Sequence, residues 1–349
     1  MRLAMKKLPY LFVLLLVSFL TFNCSSNTDD LDEVEQEETP TTPEEDTDPE
    51  DEKEPEEDKE PEEDYDNGEL NPNLAPSENF DLSTWNLSVP INNGNGTALN
   101  ISVATLNNGY KDGVYFYTAE DGGMVFKCPN KGFKTSANTS YTRVELREML
   151  RGTNTGIPTQ GVTKNNWVFG TAPEEDIKAA YGYDGEMTAT LAVNHVTTTG
   201  KNSHIGRVIV GQIHANDDEP VRIYYRKLPN NELGSIYFAH EPTDGNGSEQ
   251  WHELIGSRSN SASNPSDGIA LNEKFSYKIH VEGDALTVTI SREGKDDVSK
   301  TVDMKNSGFN VGGQYMYFKA GVYNQNNSGE DNDYVQATFY ALEKSHTML

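Results

Sequence analysis

The chain has 349 residues and a formal net charge of −28 at pH 7, from 56 acidic and 28 basic residues, with only two cysteines. That length admits one large all-β domain or two ordinary ones. Two cysteines exclude a disulfide framework and a Cys/His zinc site, and the lack of a glycine-rich phosphate loop or basic stripe argues against nucleotide and nucleic-acid partners.

Residues 1–24 carry Arg2, Lys6 and Lys7, then an apolar run from Leu11 to Phe22, then Asn23-Cys24-Ser25-Ser26. A charged n-region, a short h-region and a cleavage zone predict an export signal. The apolar run is shorter than the ~20 residues a spanning helix needs. A cysteine directly after that run resembles the lipobox of bacterial lipoproteins, which implies a mature chain starting at a lipidated Cys24 and held to a membrane. The alternative is secretion without an anchor. Residues 25–70 are rich in Glu, Asp, Pro and Thr, with the near-repeat EPEEDKEPEEDYD at 54–66. Like charges repel there and apolar side chains are scarce, so a disordered tether is expected. Acidic residues soon after the cysteine resemble a surface-export signal of some Gram-negative lipoproteins, implying an outer-membrane protein at the cell surface. Residues 1–70 hold 24 of the acidic and 5 of the basic residues, so the net charge falls to −9 for the remainder. The acidity therefore says little about the ligand.

From residue 71 to 349 the pattern is strands and turns, with no boundary that would divide it, so one domain is expected. Strands are predicted at 113–118, 123–127, 140–150, 185–196, 204–215, 221–227, 235–240, 274–282, 285–293, 315–325 and 335–343. A hairpin turn is predicted at Gly283-Asp284 between two alternating runs. Cys128 follows Met124-Val125-Phe126-Lys127 and reads as a buried free thiol. Many strands, almost no helical periodicity and long polar loops predict an all-β, two-sheet antiparallel sandwich of the jelly-roll kind.

Three strands carry the chemistry. In 140–150, Arg143, Glu145 and Arg147 share one face and Val144 and Leu146 the other, since side chains alternate along a strand. Two guanidiniums at i and i+4 lie about 13 Å apart by strand rise, a spacing that suits repeated carboxylates on a polymer. In 204–215, alternation puts Val208, Val210, Gln212 and His214 on one face and Arg207, Ile209, Gly211 and Ile213 on the other. In 315–325, Met316, Phe318, Ala320 and Val322 form an oily face; Tyr315, Tyr317, Lys319, Gly321, Tyr323 and Gln325 form a polar one, where Gly321 would leave room for a close approach to the backbone. An imidazole, an amide, phenols, an amine and two guanidiniums, each on the polar face of a strand, suit a sugar acid. A solvated sheet face and a cross-strand ion-pair ladder are the plainer readings of the same patterns.

Arg143-Val144-Glu145-Leu146-Arg147, Gln212-Ile213-His214 and Tyr317-Phe318-Lys319-Ala320-Gly321-Val322-Tyr323-Asn324-Gln325 resemble, in order, the three signature motifs of the alginate lyases of polysaccharide lyase family 7. The family more often has Ser or Thr at Val144, which should point away from the substrate face. The resemblance implies a jelly roll with an open cleft and a metal-independent β-elimination on alginate, without a cofactor. It implies that Arg143, Gln212 and His214 neutralise or work beside the substrate carboxylate, and that Tyr323 is the acid. It also implies that Glu145, Arg147, Tyr317, Lys319, Asn324 and Gln325 hold neighbouring sugars or orient the arginines. Ile213 implies guluronate or mixed blocks. Loops at 92–96, 153–161 and 244–264 are expected to bound the cleft, and a monomer is expected. Two other readings stand: a jelly-roll glycoside hydrolase, which needs two carboxylates flanking the bond, and a non-catalytic uronate-binding lipoprotein.

Overall fold

A computed structural model describes residues 70–349; the export signal, Cys24 and the tether lie outside the described residues. Three short helices are α1 (Pro76–Asn79), α2 (Val103–Asn107) and α3 (Glu174–Ala179). The strands are β1 (Trp85–Asn92), β2 (Ala98–Ile101), β3 (Phe116–Thr118), β4 (Met124–Pro129), β5 (Arg143–Glu148), β6 (Tyr183–His195), β7 (Arg207–His214) and β8 (Val221–Arg226). They continue as β9 (Leu233–His240), β10 (Gln250–Ile255), β11 (Ile269–Ala270), β12 (Lys274–Glu282), β13 (Ala285–Ser291), β14 (Val298–Asp303), β15 (Tyr317–Asn324) and β16 (Tyr334–Thr347).

They form two antiparallel sheets, ordered β10-β9-β8-β7-β15-β5-β1-β2, with β11 beside β9, and β14-β13-β12-β6-β16-β4-β3. This is the expected β-jelly roll. Period-2 patterning drives it: on β12, Phe275, Tyr277, Ile279 and Val281 are buried while the intervening residues reach solvent. The inner faces of the two sheets share one core. Phe126 sits edge-on between Phe116 and Phe339 at 5.2 and 5.0 Å, and Phe318 packs beside Trp167 at 5.1 Å. Emptying such a site, as in Phe318→Ala, costs about 3–5 kcal/mol. Cys128 lies in this core as a free thiol, and burial pushes it up to about 12, which removes it as a nucleophile at neutral pH.

The β12–β13 hairpin turns at Gly283-Asp284, with Glu282 opposite Ala285 and Gly283 at φ +58°. The predicted strands omit β1, β2, β10, β11 and β14, and none of the three short helices was predicted. β10 and β14 are edge strands with little buried surface, so neither shows the apolar alternation that marks a strand with one face in a core. β10 also converts part of the expected 244–264 loop into an extension of the first sheet.

One expectation about facing is overturned. Strict alternation on β7 grouped Val208 and Val210 with Gln212 and His214, but the ladder slips between Ile209 and Gly211 against both neighbouring strands. Val208 and Val210 join the main core, whereas Ile209 clusters with Tyr323 on the outer face. A bulge reverses the side-chain phase along a strand, and here it lets apolar residues before it and polar residues after it both meet suitable surroundings. Ile213 and Val144 lie in the core as expected.

Candidate active site

β15 is the centre of the site, with β5 on one side and β7 on the other. Tyr323 pairs with Arg143, Gly321 with Glu145 and Lys319 with Arg147; on the other edge Lys319 pairs with Gln212 and Tyr317 with His214. Eight expected site residues therefore come together on one outer face: Arg143, Glu145, Arg147, Gln212, His214, Tyr317, Lys319 and Tyr323.

Glu145 is the hub. Its carboxylate accepts from Arg143 Nη1 at 3.1 Å and from Gln212 Nε2, and lies 3.2 Å from Lys319 Nζ. All four side chains are almost fully buried, so the carboxylate is held by two cations and an amide where an unpaired charge would be costly. Gly321 stands opposite Glu145 for a reason other than ligand access. Its φ is +137°, and a Cβ there would lie 2.6 Å from Val144 O and 2.9 Å from Glu145 Cα. The neighbouring strand fills the space that the sequence suggested for a ligand.

Two stacks flank this hub. The Arg143 guanidinium lies 3.9 Å from the Tyr323 ring centre, and Tyr323 meets Tyr141 edge-on at 6.1 Å. The Arg147 guanidinium lies 4.0 Å from the Tyr317 ring centre, and Tyr317 stacks on His214 at 5.0 Å and 9°. Arg147 Nη2 also donates to Thr159 O at 3.1 Å, which ties the 153–161 loop to the cleft.

The His214 ring is oriented through its Nδ1. Nδ1 lies 2.6 Å from Ala215 O, which can only accept, so that nitrogen carries the hydrogen; Nε2 lies 3.5 Å from Glu219 Oε1. Burial alone would raise the Glu219 carboxyl, but Arg222 at 3.0 Å, with His214 next, holds it below the ordinary carboxylate value. Glu241 shares Arg222 at 3.0 Å; its own burial, opposed by Arg222 and reinforced by the hydrogen bond to Glu219, raises it to about 8. Glu219, Arg222 and Glu241 were not found from sequence. Glu219 lies in the β7–β8 loop, Arg222 on β8 and Glu241 just past β9, so only the fold brings them beside His214, and no spacing signals that.

One expected residue departs. Asn324 points to the inner side, where its Nδ2 donates to Asn130 Oδ1 at 2.9 Å and to Cys128 O at 3.4 Å. It fixes the strand end and does not reach the cleft, because it follows the phase of Val322. Gln325 lies beyond the end of β15, with its backbone N donating to Arg207 O at 3.2 Å.

The family model described as alginate lyase matches residues 80–346. The chain belongs to the alginate lyase family. An alginate lyase of Klebsiella pneumoniae is 57% identical over 280 residues, covering 78% of this chain and 91% of that protein. The crystal structure of the alginate lyase from that organism superposes with a TM-score of 0.77 at 56% identity, over 78% of this chain and 98% of the other. Alginate lyase A1-II′, a member of polysaccharide lyase family 7, superposes with a TM-score of 0.56 at 29% identity, over 79% and 100%. This chain is thus an alginate lyase on a jelly-roll scaffold, and the resemblance of its three motifs matches the comparisons. Among the described residues no group of three or more His, Cys, Asp or Glu is disposed to hold a metal.

Proposed function

We propose that this alginate lyase cleaves the 4-O linkage by a metal-independent β-elimination in which Tyr323 and His214 move the protons. The C5 proton leaves to a base, its electron pair forms the C4–C5 double bond, the C4–O4 bond breaks, and an acid protonates O4. The difficulty is the C5 proton, weakly acidic beside a negative carboxylate. Donors aimed where charge develops lower that barrier most, and Arg143 and Gln212, both held by Glu145, supply them. The supporting observation is this convergence: Tyr323 stands under the Arg143 guanidinium on the same face as Gln212 and His214.

Tyr323 is the acid, and also the base where the C5 proton is on its own side, as at mannuronate. For guluronate, whose C5 proton is on the opposite face, His214 is the base. Its Nδ1 hydrogen is committed to Ala215 O, so Nε2 takes the proton, and the carboxylate of Glu219 favours the imidazolium that results. Arg147 and Lys319 hold adjacent sugars. A hydrolase would need an acid and a base carboxylate flanking the bond, whereas the Glu145 carboxylate is already engaged by Arg143, Gln212 and Lys319. Incubation with alginate separates the readings: rising ultraviolet absorbance from unsaturated uronates supports the lyase, new reducing ends without it would mean hydrolysis, and neither would mean binding alone.

Guluronate or mixed blocks are the proposed substrate. Ile213 is buried against the core and can act only through the backbone carrying Gln212 and His214. A methylene there is worth on the order of 1 kcal/mol, so Ile213→Val should change the block preference about tenfold at most. A clear mannuronate preference in the unmodified enzyme, measured as the ratio of kcat/KM on the two block types, would refute this. The lipobox resemblance supports a surface lipoprotein on the outer membrane. Cys24→Ala should then move the protein from the membrane to the soluble fraction in its own host, and unchanged partitioning would sink the anchor.

A further inference from the structure

The face that carries the site continues past β7. In register, Ile209 of β7 stands beside Tyr224 of β8, and Tyr224 beside Tyr237 of β9. Trp251 of β10 closes the row, 5.4 Å from Tyr224 and 5.9 Å from Tyr237, and the two tyrosines stack at 5.0 Å. The same cluster contains Tyr323. A largely aromatic floor therefore runs from the Tyr323 phenol across four more strands, a span of ~19 Å at strand spacing, longer than one pyranose ring.

Two guanidiniums stand on this floor. Arg207 lies 5.9 Å from the Tyr224 ring centre and Arg258 4.7 Å from that of Trp251. Among the described residues neither has a carboxylate at ion-pair distance, and Arg207 Nε has no hydrogen-bond acceptor. Arg222 on the same sheet shows the contrast, because Glu219, Glu241 and Glu249 all hold it. The folded part carries an excess of acid, so leaving two cations without carboxylates is a specific arrangement. His204, edge-on to Tyr141 at 5.9 Å, senses it: burial first, then Arg207, Lys201 and Arg226, lower its affinity for a proton. Glu253, which is opposite Tyr237, is occupied elsewhere, accepting from Ser257 Oγ and Arg258 N at 2.8 Å each.

We propose that this row is a distal uronate-binding platform, which holds further sugars of the polymer being cleaved, with Arg207 and Arg258 pairing with their carboxylates and Trp251 giving apolar surface to a ring. The proposal rests on the cleft reading above and adds a site to it. Guanidiniums already seated on aromatic rings lose less freedom when they bind, which favours a polyanion laid along the row. The anchoring groups lie beyond the reacting centre, so they should act on long chains and hardly on short ones.

The test is the ratio of kcat/KM on alginate polymer to that on a uronate trisaccharide. In the Arg207→Gln/Arg258→Gln protein, which keeps polar side chains and removes both charges, the ratio should fall about tenfold, through KM on the polymer. Trp251→Ala should lower it in the same direction, and the two arginine changes keep the test alive if that variant does not fold. Retardation in a gel containing alginate, measured in a Tyr323→Phe background so that the polymer stays intact, separates two failures. Loss of retardation on removing the two charges supports the platform even if turnover were absent and the lyase reading failed. An unchanged ratio together with unchanged retardation overturns the platform while leaving the lyase in place.

Discussion

On β12 the outward residues Lys274, Ser276, Lys278, His280 and Glu282 are exposed or half-exposed, whereas on β15 the outward Tyr317, Lys319 and Tyr323 are only 3%, 2% and 5% exposed. Both strands alternate apolar and polar residues, and both put their apolar side into the same core. The difference lies in what the polar side touches. On the second sheet it meets water, which satisfies each group separately. On the first sheet, lysine, arginine, glutamate, glutamine and tyrosine satisfy one another, with Glu145 accepting from three of them. Buried polar groups are costly unless fully paired, so the first face is held in one arrangement. A reacting sugar needs such preorganisation, and a solvated face does not supply it.

The comparison breaks first at Tyr323. Tyr323→Phe keeps the ring under Arg143 and removes only the phenol, so kcat should fall by 10²- to 10⁴-fold, the scale of a lost general acid or base. KM and melting temperature should barely move. Normal turnover of this variant would end the acid assignment. Arg147→Ala should differ in kind, acting mainly through KM, because the role proposed for it is to hold a sugar that does not react.

Glu145→Gln strikes the hub. It leaves Arg143 and Lys319 buried without their shared carboxylate, and breaking a buried pair costs about 3–5 kcal/mol. Denaturant unfolding should show that loss together with reduced kcat. If stability were unchanged, the face would be less tightly coupled than its geometry implies.

How much of this was legible in the sequence follows from the same contrast. Alternation revealed β5 and β15 and placed Arg143, Glu145, Arg147, Lys319 and Tyr323 on one face, because those strands run in regular register against each other. It failed on β7, where the slip between Ile209 and Gly211 changes the phase. A bulge is a property of the neighbouring strands as much as of its own, so one strand's pattern cannot reveal it. Asn324 was misplaced by following the motif when parity already set it with Val322. Glu219 and Arg222 were invisible because their meaning arises only where β8 packs beside β7. The edge strands β10 and β14 were missed for want of a buried face.

Glu241 tests the polar face by pH. Its folded value of about 8 lies above the ordinary carboxyl value near 4.5, so between those limits the folded state binds more protons than the unfolded one. Stability from this group is therefore full below about 4.5 and lost as pH rises through 8. Glu241→Gln keeps a donor toward Glu219 and cannot ionise. Its melting temperature should match that of the unmodified protein at pH 4.5 and exceed it at pH 8.5. Equal behaviour at both pH values would mean that Glu241 titrates as an ordinary surface acid.

The smallest effect is expected on the second sheet. Glu186 of β6 faces Lys278 Nζ and His280 Nδ1 of β12 at 3.3 Å each, superficially a carboxylate between two basic groups like Glu145. Its partners are 45% and 43% exposed, so water competes for every charge in the trio. Exposed pairs of this kind contribute about 0–1 kcal/mol and are screened by salt. Glu186→Gln should therefore shift stability by no more than about 0.5 kcal/mol, less still in high salt, with kcat and KM untouched. Set beside Glu145→Gln, it holds the chemical change constant and varies only the burial. If the two substitutions cost the same, burial would not be what distinguishes the faces, and the rigidity assigned to the active site would need another source.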